Sequence, residues 1–113
     1  MHELAVTEDM LNLVLAEAGK HGAQTVNCVK LVIGEMTGIV SDCVRFYFEQ
    51  ISKDTIAEGA TLSFDFVPAA GRCRDCRERF QIADFVWACP NCHSLNIDIV
   101  AGRELYLESL EVT

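Results

Sequence analysis

Four of the six cysteines form two Cys-X-X-Cys pairs, Cys73 with Cys76 and Cys89 with Cys92, and 12 residues separate the pairs. A gap of two residues lets both thiolates of a pair face one ion, and two such pairs complete a tetrahedral shell. We therefore predict one structural zinc ion bound by these four cysteines. Four thiolates leave no open coordination position, which disfavours a catalytic zinc. Tetrahedral sulfur also suits iron, so a rubredoxin-like centre is the main alternative.

Charged residues surround the first cysteine pair. Arginines flank it at four positions, which are Arg72, Arg74, Arg77 and Arg79. They either contact a nucleic acid or an acidic partner, or they offset the net negative charge of a zinc ion with four thiolates, and we favour the second role. His93 could replace Cys92 as a ligand, but a supporting or exposed role fits it better. Cys28 and Cys43 lie in strand and helix patterns, which predicts small buried side chains rather than ligands.

The opening Met1-His2-Glu3 offers a second kind of metal site. An imidazole at the second position can chelate an ion together with its own backbone nitrogen and a neighbouring one. Such a set of nitrogen donors suits square-planar Ni(II) or Cu(II). Taken alone the indication is weak, because many proteins carry an early histidine that has no special role.

Two helices and three strands must position these residues. Apolar spacing predicts the helices, with Thr7 and Ser41 as N-caps. Alternating or β-branched runs predict the strands. The predicted helices cover 7–21 and 41–52, and the predicted strands cover 25–34, 61–67 and 104–112. The fold class is therefore α+β, with two helices packed on a three-stranded sheet and an inserted zinc-ribbon subdomain.

The cysteine-rich segment is predicted to be an insertion between two strands of that sheet. Pro68 and the small residues after it mark one boundary, since proline and glycine commonly end regular elements. We assign 1–69 and 102–113 to the α+β domain and 70–101 to the zinc ribbon. A segment this short buries little apolar surface, so the metal should supply much of its folding energy.

The composition argues against several classes of protein. Nine basic and 17 acidic residues give a net charge of −8, which opposes binding to phosphate backbones. A zinc-ribbon module for nucleic acid or protein interaction, and a rubredoxin-like electron carrier, remain the alternatives. No apolar run approaches the roughly 20 residues that span a membrane, and no signal peptide is evident, so we expect a cytoplasmic protein. We find neither a nucleophile–base pair nor a phosphate-binding glycine loop, so we expect no enzymatic activity.

The whole chain resembles the HypA/HybF family of nickel metallochaperones, which help to deliver nickel to NiFe-hydrogenase. The matching segments are Met1-His2-Glu3, KHGA at 20–23, IGE at 33–35, AEGA at 57–60, both cysteine pairs with the adjoining His93, and the closing strand. The opening triad together with the two cysteine pairs is a specific combination.

The resemblance implies a nickel-binding α+β domain and a zinc ribbon, with Ni(II) as transferred cargo and Zn(II) as a structural ion. It implies nickel ligation by His2, through imidazole and backbone nitrogen, with Glu3 contributing. It further implies a HypB-type GTPase and the NiFe-hydrogenase large subunit as partners, and the chain is compatible with a homodimer. Some members use an aspartate where this chain has Val40, and Asp42 is only a weak substitute. Glu35 is either a supporting group near the metal or a strand-end carboxylate.

Overall fold

The computed structural model of this chain describes residues 2–84 and 86–113. The chain divides into two compact units. The first contains the chain up to Val32 together with Gly38–Asp65 and Tyr106–Thr113, and the second contains Ile33–Thr37 and Phe66–Leu105. Neither helix within the described residues has the length and hydrophobicity of a membrane span.

Two α-helices and six strands appear in the described residues. The helices are α1 (Glu3–Lys20) and α2 (Ser41–Ile51), and the strands are β1 (Val26–Gly34), β2 (Thr61–Val67), β3 (Ala70–Cys73), β4 (Arg79–Gln81), β5 (Ile97–Ala101) and β6 (Leu105–Val112). They form two three-stranded sheets, in the orders β2-β1-β6 and β4-β3-β5. The predicted fold class is confirmed: two helices accompany a three-stranded sheet whose last strand follows the inserted cysteine-rich segment.

The first unit is built around one apolar core. α1 contributes Leu11, Val14 and Ala18, and the partly buried Leu15 packs against them, which is the i, i+3, i+4, i+7 spacing of an amphipathic helix. Phe48 of α2 reaches the same core and is 2% exposed. The opposite layer comes from the sheet, through Val26, Val29, Leu31 and Leu62. Since burying one large apolar side chain stabilises a fold by about 1.5–3 kcal/mol, this core dominates the stability of the first unit.

The start of α1 differs from the prediction. The helix begins at Glu3, and its hydrogen bonding begins with the Val6 N–H, which donates to the His2 carbonyl oxygen at 3.0 Å. Thr7 is buried, and its hydroxyl donates to the Glu3 carbonyl oxygen at 2.6 Å. Thr7 therefore supports the helix interior and is not a cap. Ser41 is not a cap either, because it is the first helical residue of α2.

The second sheet is centred on β3. Gly71 lies opposite Phe80 of β4 and Ile99 of β5, and the register shifts between Ala70 and Gly71. A Cβ atom at Gly71 would lie 2.7 Å from Ile97 Cγ2, which is closer than carbon atoms approach. The close packing of this sheet therefore requires glycine at this position.

The turn after β1 is fixed by the segment before β6. The Gly34 N–H donates to the Glu104 carbonyl oxygen at 2.6 Å, and a Cβ at Gly34 would clash with the Gly102 carbonyl oxygen. Glu35, the first residue of the turn, accepts the Ala69 N–H at 2.7 Å through Oε1. Of the two roles predicted for Glu35, the structure supports that of a strand-end carboxylate, which fixes neighbouring backbone.

Candidate metal centres

The two Cys-X-X-Cys pairs meet at one point of the second unit. The four Sγ atoms all lie within 4.8 Å of one another, with 3.5 Å between those of Cys73 and Cys92 and 3.5 Å between those of Cys76 and Cys89. Zn–S bonds of about 2.3 Å place the corners of a sulfur tetrahedron about 3.8 Å apart, so these atoms fit around one ion. Within 2–84 and 86–113, no other group of three or more potential metal ligands comes this close together.

The two cysteine pairs share one backbone conformation. In each, the N–H of the first cysteine donates to the carbonyl five residues later, and its carbonyl accepts the N–H of the residue four later. That fourth residue has a positive φ in both cases. The bonds join Cys73 to Glu78 and Arg77 in the first pair, and Cys89 to Ser94 and His93 in the second. The site is therefore made of two equivalent loops, each folded locally.

Backbone amides in each loop point at sulfur. The Cys76 N–H donates to Cys73 Sγ at 3.5 Å, and the N–H groups of Asn91 and Cys92 donate to Cys89 Sγ at 3.4 Å. The sulfurs that accept these bonds belong to the two fully buried cysteines. Because a thiolate accepts such bonds better than a thiol does, the loops favour the ionised sulfur that a metal requires.

The thiols of the cluster differ in acidity. The Asn91 side chain and the Glu78 backbone amide lower the pKa of Cys76 to about 6, and the Cys76 amide lowers the pKa of Cys73. At Cys92 the Ser94 amide lowers the pKa, but hydrogen bonding with Cys73 and burial outweigh it and raise the pKa to about 12. The Cys76 sulfur thus ionises most readily, and a divalent ion must displace the proton of Cys92.

Polar contacts tie the two loops to each other and to β5. The Ser94 hydroxyl donates to the Asp75 carboxylate, which joins the second loop to the first. Arg74 forms an exposed ion pair with Asp98, with Nη2 at 2.6 Å from Oδ1. His93 is exposed, in keeping with the exposed role predicted for it.

The second predicted site lies at the start of α1, in the first unit. His2 is exposed and directly precedes the helix, with a non-helical backbone (φ −92°, ψ 57°). Glu3 is the first helical residue and is 8% exposed. Met1, which opens the predicted chelating segment, lies outside the described residues. An imidazole and a carboxylate therefore lie next to each other in the chain at a helix N-terminus.

Glu3 contacts the loop that precedes α2. The Val40 N–H donates to Glu3 Oε2 at 3.1 Å. This amide, together with the backbone amide of Glu3, lowers the pKa of the Glu3 carboxyl below its ordinary value of 4.5, so Glu3 is ionised at neutral pH. Val40 thus lies beside Glu3 through its backbone, although its side chain adds no charge. Asp42 follows in the first turn of α2.

The two remaining cysteines differ from the prediction. Cys43 is exposed on α2, so its expected burial is wrong, and Cys28 is only partly buried in β1. The apolar spacing of α2 buries Val44 and Phe48, which turns the residue just before Val44 outward. Neither cysteine belongs to the four-sulfur cluster.

Similar proteins were found by sequence and by structure. A family model described as hydrogenase/urease nickel incorporation, metallochaperone, hypA matches residues 1–112. A hydrogenase maturation factor HypA of Dehalococcoides mccartyi (strain CBDB1) is 44% identical over 112 residues, which are 99% of this chain and 94% of that protein. A HypA of Caldanaerobacter subterraneus is 42% identical over 113 residues, which are 99% of each chain.

Two solution structures have a similar fold. One, of a HypA protein, superposes with a TM-score of 0.75 at 28% identity and covers 100% of this chain and 97% of its own. The other, of the nickel metallochaperone HypA from Helicobacter pylori, superposes with a TM-score of 0.70 at 29% identity and covers 99% and 97%. The similarity therefore extends over both units of the chain.

Proposed function

This chain belongs to the HypA family of nickel-incorporation metallochaperones, and from that premise we propose that it binds Ni(II) through His2 and Glu3 and passes the ion to a partner. Its role is that of a nickel metallochaperone in hydrogenase maturation. The four-cysteine cluster suits a structural zinc ion. Nickel is the cargo, and the proposed action is binding and transfer rather than catalysis.

The backbone at the start of α1 supports this site. Helical hydrogen bonding starts with the Val6 N–H donating to the His2 carbonyl. Amides at the first positions of a helix have no carbonyl partner within it, so deprotonating the His2 amide for nickel breaks no helical hydrogen bond. Imidazole and amide nitrogens are the donors that square-planar Ni(II) prefers. The exposed position of His2 leaves room for a partner to approach and exchange ligands.

Electrostatics at this end of α1 are balanced by Glu3. The positive end of a helix dipole opposes a nearby cation by only about 0.3–1 kcal/mol. Glu3 carries a full negative charge there at neutral pH, and the Val40 amide stabilises that charge further by lowering the pKa of its carboxyl. The same hydrogen bond also holds the carboxylate in place, so Glu3 presents its charge to the nickel site from a fixed position. We assign Asp42 no role in the site.

We further propose that nickel binding and zinc binding belong to separate domains of the chain. Residues 1–69 and 102–113 form the nickel-binding domain, and 70–101 form the zinc ribbon, which is structural. A HypB-type GTPase and the NiFe-hydrogenase large subunit are the proposed partners for loading and delivery. Nucleotide hydrolysis belongs to the GTPase in this scheme, since this chain offers no glycine-rich phosphate loop.

The observation that carries the nickel proposal is the position of His2, exposed and directly before α1. The test is a calorimetric Ni(II) titration of zinc-loaded wild type, His2→Ala and His21→Ala. His21 is a matched control because it is also exposed and lies at the other end of α1. We expect His2→Ala to lose the tight nickel site and His21→Ala to keep it, with equal zinc content in all three. Unchanged affinity and stoichiometry in His2→Ala would contradict the site.

A further inference from the structure

The second sheet carries a row of charged side chains on one face. Residues directly opposite each other in antiparallel strands point to the same face of a sheet. Arg72 of β3 lies opposite Arg79 of β4 on one side and opposite Asp98 of β5 on the other. All three residues are exposed. Two arginines therefore face solvent side by side.

These two arginines are poorly placed to neutralise the cysteine cluster. Successive residues of a strand point to opposite faces, so the buried Cys73 lies on the other face of β3 from Arg72. The Asp98 carboxylate is already bound by Arg74, whose Nε donates to Oδ1 at 2.8 Å. No ion pair joins Arg72 or Arg79 to a carboxylate in the described part of the chain.

The arginine pair stands out against the charge of the rest of the protein. Like charges directly opposite in a sheet are destabilising, so the pair weakens the sheet in the absence of an anion. Seven of the eight net negative charges lie in the first unit, whereas five of the six arginines lie in the second. Guanidinium groups bind carboxylates with paired hydrogen bonds. The pair is therefore suited to an acidic ligand.

An apolar cavity adjoins the pair. Its volume is about 360 Å³, and Arg79 lies in its wall. The other lining residues are mainly apolar: Val67, Pro68, Ala70, Phe80, Gln81 and Ala101. β4 is also an edge strand of the described sheet, and an edge strand can pair with an extended peptide. Positive charge, an apolar cavity and an open strand edge thus occur together.

We propose that this face of the second sheet binds an extended acidic segment of a partner protein along β4. A carboxylate of the segment lies between Arg72 and Arg79, and a neighbouring apolar side chain enters the cavity beside Ala70 and Ala101. A protein segment fits better than a nucleic acid, because the cavity accepts an aliphatic side chain and the chain as a whole carries a net charge of −8. The proposal goes beyond nickel binding and does not depend on His2.

The test uses zinc-loaded, nickel-free full-length protein and a fluorescein-labelled peptide of alternating glutamate and leucine. Fluorescence anisotropy should show binding that weakens as salt is added, since charge attraction is screened. Arg72→Ala/Arg79→Ala should weaken binding about tenfold or more, because two charge-assisted contacts are lost. Lys53→Ala/Arg103→Ala removes the same charge from exposed positions outside the row, and it should change binding by less than about twofold.

Each other outcome overturns the proposal. If both double variants weakened binding equally, the effect would be due to net charge alone. If a peptide with glutamine in place of glutamate bound equally well, carboxylates would have no role in binding. Tighter binding of a single-stranded oligonucleotide, lost in Arg72→Ala/Arg79→Ala, would replace the protein segment with nucleic acid. Self-association that is abolished by the same variant would make the partner a second copy of this chain.

A measurement on the wild-type protein tests the proposal even if the arginine variants misfold. Amide chemical shifts recorded during peptide titration should change most in β3 and β4, at Ala70, Arg72, Arg79 and Gln81. Amides of α1 and α2 should not move. Shifts confined to the first unit would overturn the proposal even if the arginine variants lost structure, and zinc content with circular dichroism identifies that loss.

Discussion

The two units of this chain are stabilised by different chemistry. The first buries a continuous set of apolar side chains from both helices and two strands, including Val14, Phe48 and Leu62. In the second, two of the buried residues are Cys73 and Cys89, and several others are as small as Ala69 and Ala70. The first unit is therefore held together by an apolar core, whereas the second is organised around a cluster of four cysteine sulfurs.

This difference follows from size. Apolar burial grows with chain length, and units of about 40 residues usually need a metal, a disulfide or a partner to fold. The second unit is close to that limit, and the four sulfurs provide the metal site. Structural zinc supplies about 10–16 kcal/mol in small zinc-binding peptides, which exceeds what any single apolar side chain contributes. The two units should therefore respond to different perturbations.

The largest expected effect is the loss of the metal. Cys73→Ser removes a fully buried sulfur, so zinc should be lost and the amides of 70–101 should exchange hydrogen much faster. Amides of α1 and α2 should keep most of their protection, because the apolar core of the first unit contains no metal ligand. Hydrogen exchange with elemental analysis measures both. Cys43→Ser is the control, since Cys43 is exposed and outside the cluster, and protection of 70–101 that persists without zinc would contradict the comparison.

The next effect is a cavity in the apolar core. Phe48→Ala should lower the free energy of unfolding of the first unit by about 3–5 kcal/mol, as truncation of a buried phenylalanine does. Zinc content should stay at the wild-type level. Urea denaturation followed by circular dichroism gives the free energy. Phe46→Ala on the same helix is the matched control, because Phe46 is 58% exposed; a similar loss there would mean that α2 itself, and not burial, is responsible.

A smaller effect is expected from the contact between Glu3 and Val40. The pKa of the Glu3 carboxyl is lowered by the Val40 amide from an ordinary value of 4.5. A lowered pKa stabilises the folded state above the ordinary pKa, and this stability is lost as pH falls through the lowered value. Glu3→Gln should therefore lower the urea midpoint at pH 7, by less than Phe48→Ala does. The difference from wild type should shrink below about pH 4.5, and a difference that is constant down to pH 3 would exclude the carboxylate as its source.

The smallest effect is expected in the second unit. Arg74 lowers the pKa of Asp98 below its ordinary value of 3.8 by hydrogen bonding and charge, so the pair stabilises the unit above that pH and loses its effect as pH falls further. Both side chains are exposed, and exposed ion pairs contribute little. Asp98→Asn should leave zinc content and the thermal midpoint at pH 7 almost unchanged in high salt. A large shift there would show that the second unit depends on ion pairs as well as on its metal.

Local patterns predicted much of this molecule. The strands at 26–34 and 61–67 were predicted to within a residue, because β-branched runs and alternation are properties of short segments. The four cysteines could be assigned to one site because each loop is folded by hydrogen bonds between residues at most five positions apart in the chain. The short strands β3, β4 and β5 were not predicted individually, since three to five residues without clear alternation leave little signal.

The start of α1 shows what local patterns miss. Thr7 resembles an N-cap because threonine often stands just before the first turn of a helix. Its hydroxyl instead donates to the Glu3 carbonyl oxygen, and the helix already begins at Glu3. The extension is supported by the hydrogen bond from Val40 to Glu3, which joins residues 37 positions apart. The outward position of Cys43 has a similar origin, since the packing of its neighbours decides it. Contacts of this range are not encoded in a window of ten residues.

The matching backbones of the two cysteine loops bear on which surface residues can change during evolution. Both loops follow one hydrogen-bonding scheme, yet apart from the cysteines the segments CRDCRE and CPNCHS have no residue in common. The backbone of each loop is therefore set by main-chain hydrogen bonds and not by a shared set of other side chains. Mutation at other positions of the loops can alter their charge without altering this backbone scheme, but Asn91 is not among them, because its side chain forms a hydrogen bond with Cys76. Selection for a new partner and selection for a stable fold can therefore act on largely separate positions.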